Sequence, residues 1–535
     1  MNPGTSQSAP QAAQKTPEAY ANEIRDHSFL SQALYLKCGL NYKDLWMQML
    51  RPNAGISPPN NIAQQEPLVT LRHIKKRGDA EIIDYKASEM SQFSHRPPLE
   101  SSIVQLLFIR GHLSGPWLSA IGSGYDVDPE FFRRHIDSLQ SPKNYDLPAL
   151  PSASCGIVTL KITTICNGTH VKTKNEVLDS RLTCSDTKHS QQDSTPGASI
   201  VRRISAHGEK HFTLEQNISM YISKRDGGWA AIIWLDFGRY LKKGSFGPWS
   251  RSSQHDLAKK LISCVPVIQH EPRIAQRSQV QGVPMGWQGN SCPSSARLLH
   301  TVHGYRLNPE TMRADSFYAL SEYFTFAASS ENQFLNFMHT QLEKAVRPPQ
   351  KSGTGTLELL NFNRRLLEEH VIYLQSIVTF LRDDGDDEWP RAKSGCSAYF
   401  AQEKRISLRR DFEFLLSKSR RLVSAFADGA SFIMGHAELK KHCDTDIQDA
   451  KSKRLSWLAY IFLPLQFTSA VFGMNIQELG TGTGKLVQFF AALVPLLLAS
   501  LLLGMGWQSL KKAFERALTL FRDQRDSLKA MSTGV

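Results

Sequence analysis

The patterns in this chain that could support catalysis are incomplete. Residues 207–211 read HGEKH, but the glutamate does not directly follow the first histidine, as the zinc-binding pattern H-E-x-x-H requires. We interpret them as a surface turn. Residues 480–485 read GTGTGK, without the glycine spacing or the Ser or Thr after the lysine that a phosphate-binding loop needs. No pairing of a nucleophile with a base is visible, so we predict neither enzymatic activity nor a bound cofactor.

The polar residues of greatest interest lie in or beside two long uncharged segments. Residues 455–474 read LSWLAYIFLPLQFTSAVFGM, and residues 486–507 read LVQFFAALVPLLLASLLLGMGW. At about 1.5 Å of rise per residue, a helix of either length covers the ~30 Å hydrocarbon core of a bilayer. We therefore predict two transmembrane helices. The alternative is a pair of buried core helices, which seldom reach this length without a polar face.

The 535-residue chain has a formal charge of +13. It has no basic, aromatic-rich motif of the kind that binds nucleic acid, so no nucleic-acid partner is expected.

Charge around the two uncharged segments predicts their orientation. The loop 475–485 has one lysine and one glutamate. Basic residues flank the pair of segments, namely Lys451, Lys453, Arg454, Lys511, Lys512 and Arg516. The positive-inside rule then predicts a multi-pass membrane protein with both termini cytoplasmic, and we favour the plasma membrane.

The end of the first segment carries a recognisable motif. Phe472-Gly473-Met474-Asn475 ends it, and Pro464-Leu465-Gln466 begins eleven residues before that asparagine. This arrangement resembles the CorA family of Mg2+ transporters, whose first transmembrane helix ends in Gly-Met-Asn after a Pro-Leu-Thr-type segment. Residues 125–135, YDVDPEFFRRH, also resemble a segment of fungal CorA-like proteins.

The resemblance implies a homopentamer in which the first span lines one central pore. Mg2+ gives up its water reluctantly, so neutral oxygens suit a conducting site better than ligands that strip the ion. Gly473, Met474 and Asn475 would form the ion entrance, with the Asn475 side chain facing the ion. By family register, Gln466 stands where relatives carry threonine and would form a polar ring in the pore. Leu463 would then belong to an apolar constriction.

Two alternatives remain open for the pore-lining face. Counting helical turns back from Asn475 favours Thr468 over Gln466. Gln466 would otherwise form a hydrogen bond between helices outside the pore. In the outer loop, Glu478 is the acidic residue that would attract cations, although Lys485 opposes it.

Acidic residues before the first span are candidates for sensing Mg2+. In the family, such residues near subunit interfaces sense the cytoplasmic ion, so Mg2+ would be regulatory as well as transported. The candidates are Glu438, Asp444, Asp446 and Asp449. We interpret the acidic run at 383–388, DDGDDE, as a solvated loop between helices.

The predicted fold is an α/β cytoplasmic domain followed by a long helical stalk and two C-terminal transmembrane helices, assembled as a funnel-shaped homopentamer. Short apolar runs at 103–109, 217–223 and 230–235 predict strands, and Asp128 before Pro129 predicts a helix start. Apolar periodicity predicts helices at 357–382 and from Glu403 onward. The predicted organisation is a disordered N-terminus at 1–25, the α/β domain with irregular insertions at 26–330, the stalk at 331–454, the two spans with an outer loop at 455–507, and a basic cytoplasmic tail at 508–535.

The predicted function is transport of a divalent cation, Mg2+ in particular, driven by the membrane potential. One alternative is transport of Zn2+ or another divalent ion by the same kind of channel. The other is a membrane-anchored scaffold or sensor that keeps the fold without conducting. Its expected partners are copies of itself, the lipid bilayer and divalent cations.

Overall fold

A computed structural model describes fifteen stretches of the chain. They are residues 15–33, 38–50, 68–74, 82–87, 104–137, 156–167, 196–208, 211–225, 228–238, 263–269, 299–304, 306–347, 354–383, 389–473 and 490–500. The chain separates into two compact units, Met1–Ser431 and Phe432–Val535.

The first unit contains eight strands in one mixed sheet and most of the helices. The strands are β1 (Val69–Ile74), β2 (Ile82–Ala87), β3 (Val104–Arg110), β4 (Ile157–Asn167), β5 (Arg203–Ala206), β6 (His211–Arg225), β7 (Gly228–Leu235) and β8 (Ser263–Cys264). The helices are α1 (Pro17–Ala33), α2 (Cys38–Met49), α3 (Gly115–Tyr125), α4 (Pro129–Asp137), α5 (Leu299–Val302), α6 (Pro309–Ala314), α7 (Ser316–Val346) and α8 (Thr354–Arg382). Helix α9 (Gly395–Gly473) begins in this unit.

The sheet runs in the order β2-β1-β3-β7-β6-β4-β8, and β5 pairs with β6. β3 and β7 pair in parallel, and the remaining described pairs are antiparallel. Every residue of β3 is buried, so both faces of the sheet are covered at its centre. The strands predicted at 103–109, 217–223 and 230–235 are confirmed as parts of β3, β6 and β7.

Helices α1–α4 cover one face of the sheet. Their apolar side chains share a core with alternate residues of β3 and β7, including Ile109 and Trp234. The helix predicted to start at Pro129 is confirmed as α4. We expected residues 1–25 to be disordered, whereas α1 begins at Pro17 and buries Tyr20, whose hydroxyl donates to the Val127 carbonyl at 2.7 Å.

Helices α7 and α8 pack against β4 of the sheet. The Ser330 hydroxyl of α7 donates to the Thr163 carbonyl of β4 at 2.9 Å and accepts from its amide at 3.0 Å. The Lys161 amide, two residues earlier on β4, donates to the Tyr373 hydroxyl of α8 at 3.0 Å. The helix predicted at 357–382 is confirmed as α8, and the helix predicted from Glu403 onward is confirmed as α9.

The second unit contains the end of α9 and a helix α10 at residues 490–500. Residues 455–473 of the first predicted span form the end of α9. Met474 of that span, and 486–489 and 501–507 of the second, lie outside the described residues. Among the residues that the structure describes, no helix is both long enough and apolar enough to cross a bilayer.

Candidate functional site

Pro464 lies inside α9 and changes the hydrogen bonding of that helix. A proline has no amide hydrogen, so the carbonyl of Tyr460, four residues earlier, loses its helical partner. The Ser500 hydroxyl of α10 donates to this carbonyl at 2.9 Å, and it also lies 2.9 Å from the Leu497 carbonyl of its own helix. α10 thus supplies the hydrogen bond that Pro464 removes from α9.

The face of α9 that carries Pro464 is the one packed inside this unit. Pro464 and Thr468, one turn apart, are both buried, and the Thr468 hydroxyl donates to the Pro464 carbonyl. Gln466 is exposed, and two residues past Pro464 it points about 200° around the helix, away from the buried face. Gly473 is seven residues after Gln466, so it lies on the same side of the helix and about 10 Å farther along the axis.

The remaining predicted pore residues lie along the last part of α9 or beyond its end. Leu463 is 72% exposed, and Gly473 is the last residue of the helix. Met474, Asn475 and Glu478 lie outside the described residues. The structure therefore places Gln466 and Leu463 on free surface of this chain and Thr468 in its interior.

The four acidic candidates for metal sensing all lie on α9. Glu438, Asp444, Asp446 and Asp449 are exposed. Helical geometry spreads them over about 16 Å of the axis, with Glu438, Asp446 and Asp449 within about 80° of one another and Asp444 on the other side of the helix, because 3.6 residues make one turn. In the stretches that the structure describes, no three His, Cys, Asp or Glu side chains come together as a group that could hold a metal ion.

A buried charge cluster, which the sequence did not reveal, joins the sheet to α7 and α8. The His370 ring of α8 is fully buried, and its Nδ1 lies 2.9 and 3.0 Å from the two carboxylate oxygens of Glu331 on α7. Its Nε2 lies 3.7 Å from the Glu215 carboxylate of β6, which also pairs with Lys161 of β4 at 3.2 Å. The four residues are adjacent only in the fold, so no sequence pattern marks them.

The charges within this cluster stabilise one another. Burial alone lowers the pKa of His370, but the Glu331 and Glu215 carboxylates outweigh it and raise that pKa to about 9. Burial likewise raises the pKa of Glu215, but the charges of Lys161 and His370 hold it well below its ordinary value. At neutral pH the cluster therefore contains a cationic His370 between two carboxylates.

A second buried cluster places a serine, a histidine and an aspartate in line. The His135 Nδ1 lies 2.8 Å from the Ser219 hydroxyl, and its Nε2 lies 3.0 Å from Asp236. Arg202 binds both oxygens of Asp236 at 2.7 Å, and the His135 ring stacks on Trp234 at 4.0 Å. All three members of the line are buried, and burial lowers the pKa of His135 to about 4. The arrangement holds α4 onto the sheet, with the three side chains enclosed by the protein.

The surface turn predicted at 207–211 is wrong for its first residue. His207 is buried, with Nδ1 2.9 Å from the Asn363 side chain of α8 and Nε2 2.9 Å from the Thr213 hydroxyl. Both ring nitrogens are thus engaged by the protein. His207 ties the β5–β6 connection to α8.

No family model matches the sequence, and no curated protein matches it significantly. Among solved structures, the chain is similar to the complete structure of the CorA magnesium transporter from Methanocaldococcus jannaschii, over 81% of this chain and 95% of that chain. The identity is 10% and the TM-score is 0.36. Values this low establish neither a shared fold nor a shared activity.

Proposed function

We propose that this chain transports divalent cations, Mg2+ in particular, through a homopentameric channel lined by the end of α9. In this proposal, residues 455–474 and 486–507 span the bilayer and both termini are cytoplasmic. Asn475 forms the ion entrance together with Gly473 and Met474. Mg2+ passes with much of its water retained, because neutral oxygens contact the hydrated ion without stripping it.

The observation that carries the proposal is that the two faces of α9 near Pro464 differ in their contacts within the chain. The face of Thr468 is used within the chain, while the opposite face presents Gln466 with no partner among the described residues of this chain. In hydrocarbon an unpartnered amide costs several kcal/mol, so Gln466 would need water, an ion or another subunit. This favours Gln466 over Thr468 as the polar ring of the pore.

The hydrogen bond from Ser500 supports placing α9 and α10 in a bilayer. A helix that contains proline leaves one carbonyl unpaired, and in hydrocarbon another helix must satisfy it. Ser500 does so for the Tyr460 carbonyl at 2.9 Å. The pair of helices is thus equipped for an environment without water.

The test is ion flux into liposomes that contain the purified full-length protein. With an inside-negative potential, Mg2+ uptake above that of empty liposomes is expected from the wild-type protein. Asn475→Ala and Gln466→Leu should reduce uptake to the level of empty liposomes. Thr468→Val is the matched control, because its hydroxyl is buried and bonded within α9, and it should retain uptake.

The outcomes separate the competing functions. Faster uptake of Zn2+ than of Mg2+ in competition would establish the alternative ion. An absence of divalent flux under any gradient, with inserted protein, would leave the scaffold or sensor. Loss of uptake in Thr468→Val together with normal uptake in Gln466→Leu would reverse the assigned pore face.

A further inference from the structure

Two cysteines face each other across neighbouring strands at one edge of the sheet. Cys166 lies on β4 and Cys264 on β8, and the two residues are direct partners in the antiparallel register. Their sulfur atoms are 3.1 Å apart. Both side chains lie inside a small apolar cluster with Val201, Phe212 and Leu214.

The backbone around this pair has the geometry that a disulfide requires. The Val265 amide donates to the Ile165 carbonyl at 2.8 Å, so Ile165 and Val265 form the hydrogen-bonded pair. Cys166 and Cys264 are therefore a non-hydrogen-bonded pair, in which the Cα atoms lie about 4.5 Å apart and the side chains approach most closely. That separation falls within the ~4.4–6.8 Å found in disulfides. A disulfide can therefore bridge this pair once the two sulfur atoms approach from 3.1 Å to bonding distance.

We propose that Cys166 and Cys264 form a redox-sensitive thiol pair that peroxide converts to an intramolecular disulfide. The Cys264 thiolate attacks one oxygen of hydrogen peroxide, which gives a sulfenic acid and releases hydroxide. The Cys166 sulfur then attacks the sulfenic sulfur, forms the S–S bond and releases water. Two thiols are oxidised and one peroxide is reduced, and a dithiol reductant reverses the change.

Cys264 is the residue that peroxide would reach first. It is 5% exposed, whereas Cys166 is fully buried, and β8 is a two-residue strand at the sheet edge. A hydrogen bond with Cys166 lowers the pKa of the Cys264 thiol, which favours the reactive thiolate. A small oxidant therefore has both access and a nucleophile at this position.

The disulfide would fix the segment after β8 to the sheet. Gln333 of α7 holds this segment, donating to the Pro266 carbonyl at 3.1 Å and accepting from the Ile268 amide at 3.3 Å. In the reduced protein β8 itself has only a two-residue pairing with β4. Oxidation would add a covalent link that closes about a hundred residues of chain, which restricts the unfolded state.

The experiment is peptide mapping of the purified full-length protein before and after dilute hydrogen peroxide. Alkylation in denaturant should show the loss of two thiols per chain and a linked peptide pair containing Cys166 and Cys264, which dithiothreitol separates. The oxidised protein should also unfold at a higher temperature than the reduced protein. In Cys166→Ser, a sulfenic acid at Cys264 should become trappable by dimedone.

Cys443→Ser is the matched control, because that thiol is exposed and on α9, and it should leave the linked pair unchanged. Recovery of both Cys166 and Cys264 as thiols while Cys443 is oxidised would overturn the proposal. A link from either cysteine to a third one would do the same. Mapping of the wild-type protein decides these outcomes even if the variants fail to fold, and none depends on ion flux.

Discussion

The buried His370 predicts a specific dependence of stability on pH. Its pKa is raised from 6.5 to about 9 by the Glu331 and Glu215 carboxylates, which outweigh the effect of burial. A raised pKa means that the folded protein binds the proton more tightly than the unfolded chain does. The resulting stabilisation is complete below pH 6.5 and is lost as the pH rises through 9. A shift of this size corresponds to about 3 kcal/mol of unfolding free energy.

The perturbation that tests this reasoning is His370→Gln. Glutamine keeps a polar group near Glu331 but provides no positive charge, so the buried carboxylates lose the cation between them, and Lys161 and Arg203 remain beside Glu215. At pH 6.5 we expect the variant to be about 3 kcal/mol less stable than the wild type, within the range measured when one partner of a buried ion pair is removed. Between pH 6.5 and 9, the stability of the wild type should fall, and that of the variant should stay nearly constant.

The measurement is guanidinium unfolding of the full-length protein in detergent, followed by tryptophan fluorescence at several pH values. The matched control is His339→Gln on α7, because His339 is 59% exposed and its carboxylate neighbour, Glu343, is 3.8 Å away. The control should follow the wild type at every pH. Parallel curves for the wild type and His370→Gln would refute the assignment of a charged histidine in this cluster.

Two further predictions concern packing. Ser500→Ala should lower the free energy of unfolding by about 1 kcal/mol because it leaves the Tyr460 carbonyl unpaired, and Pro464→Ala should remove that cost by restoring a helical amide. A double-mutant cycle of thermal unfolding measures this coupling. An equal cost of Ser500→Ala with and without Pro464→Ala would contradict it. Gly115→Ala should cost about 1–3 kcal/mol, because its Cβ would lie 2.4 Å from the Met49 carbonyl oxygen of α2. Its control is Gly435→Ala, where a Cβ has open space, and the melting temperature should fall in the first variant alone.

Local patterns were sufficient to predict much of the secondary structure. β3 and β7 are apolar because both faces of the sheet are covered, and α8 and α9 repeat apolar residues at helical spacing because one side of each is buried. Pro129 after Asp128 marked the start of α4 for a local reason as well, since proline suits the first turn of a helix. The early helix α1 was missed because its opening residues are mostly polar and small, and its stability comes from burying Tyr20.

The sequence also identified the residues of the proposed ion path, but not the face of the helix on which they lie. Counting turns favoured Thr468 and family register favoured Gln466, and neither pattern includes the position of a second helix. In the fold, Thr468 is buried and Gln466 is exposed, and this difference supports the proposed choice of Gln466.

By itself, the sequence determined the uncharged segments, the Gly473-Met474-Asn475 motif and the strands and helices with strong periodicity, because hydropathy and backbone preference act over a few residues. Only the tertiary structure brought His370 between Glu331 and Glu215, or Cys166 against Cys264. As the numbering shows, those three pairs of partners are separated by 39, 155 and 98 positions. The pair with the largest separation, His370 and Glu215, joins a helix to the sheet. Electrostatic and sulfur contacts depend on distances of a few ångströms, which the order of residues along a chain does not contain.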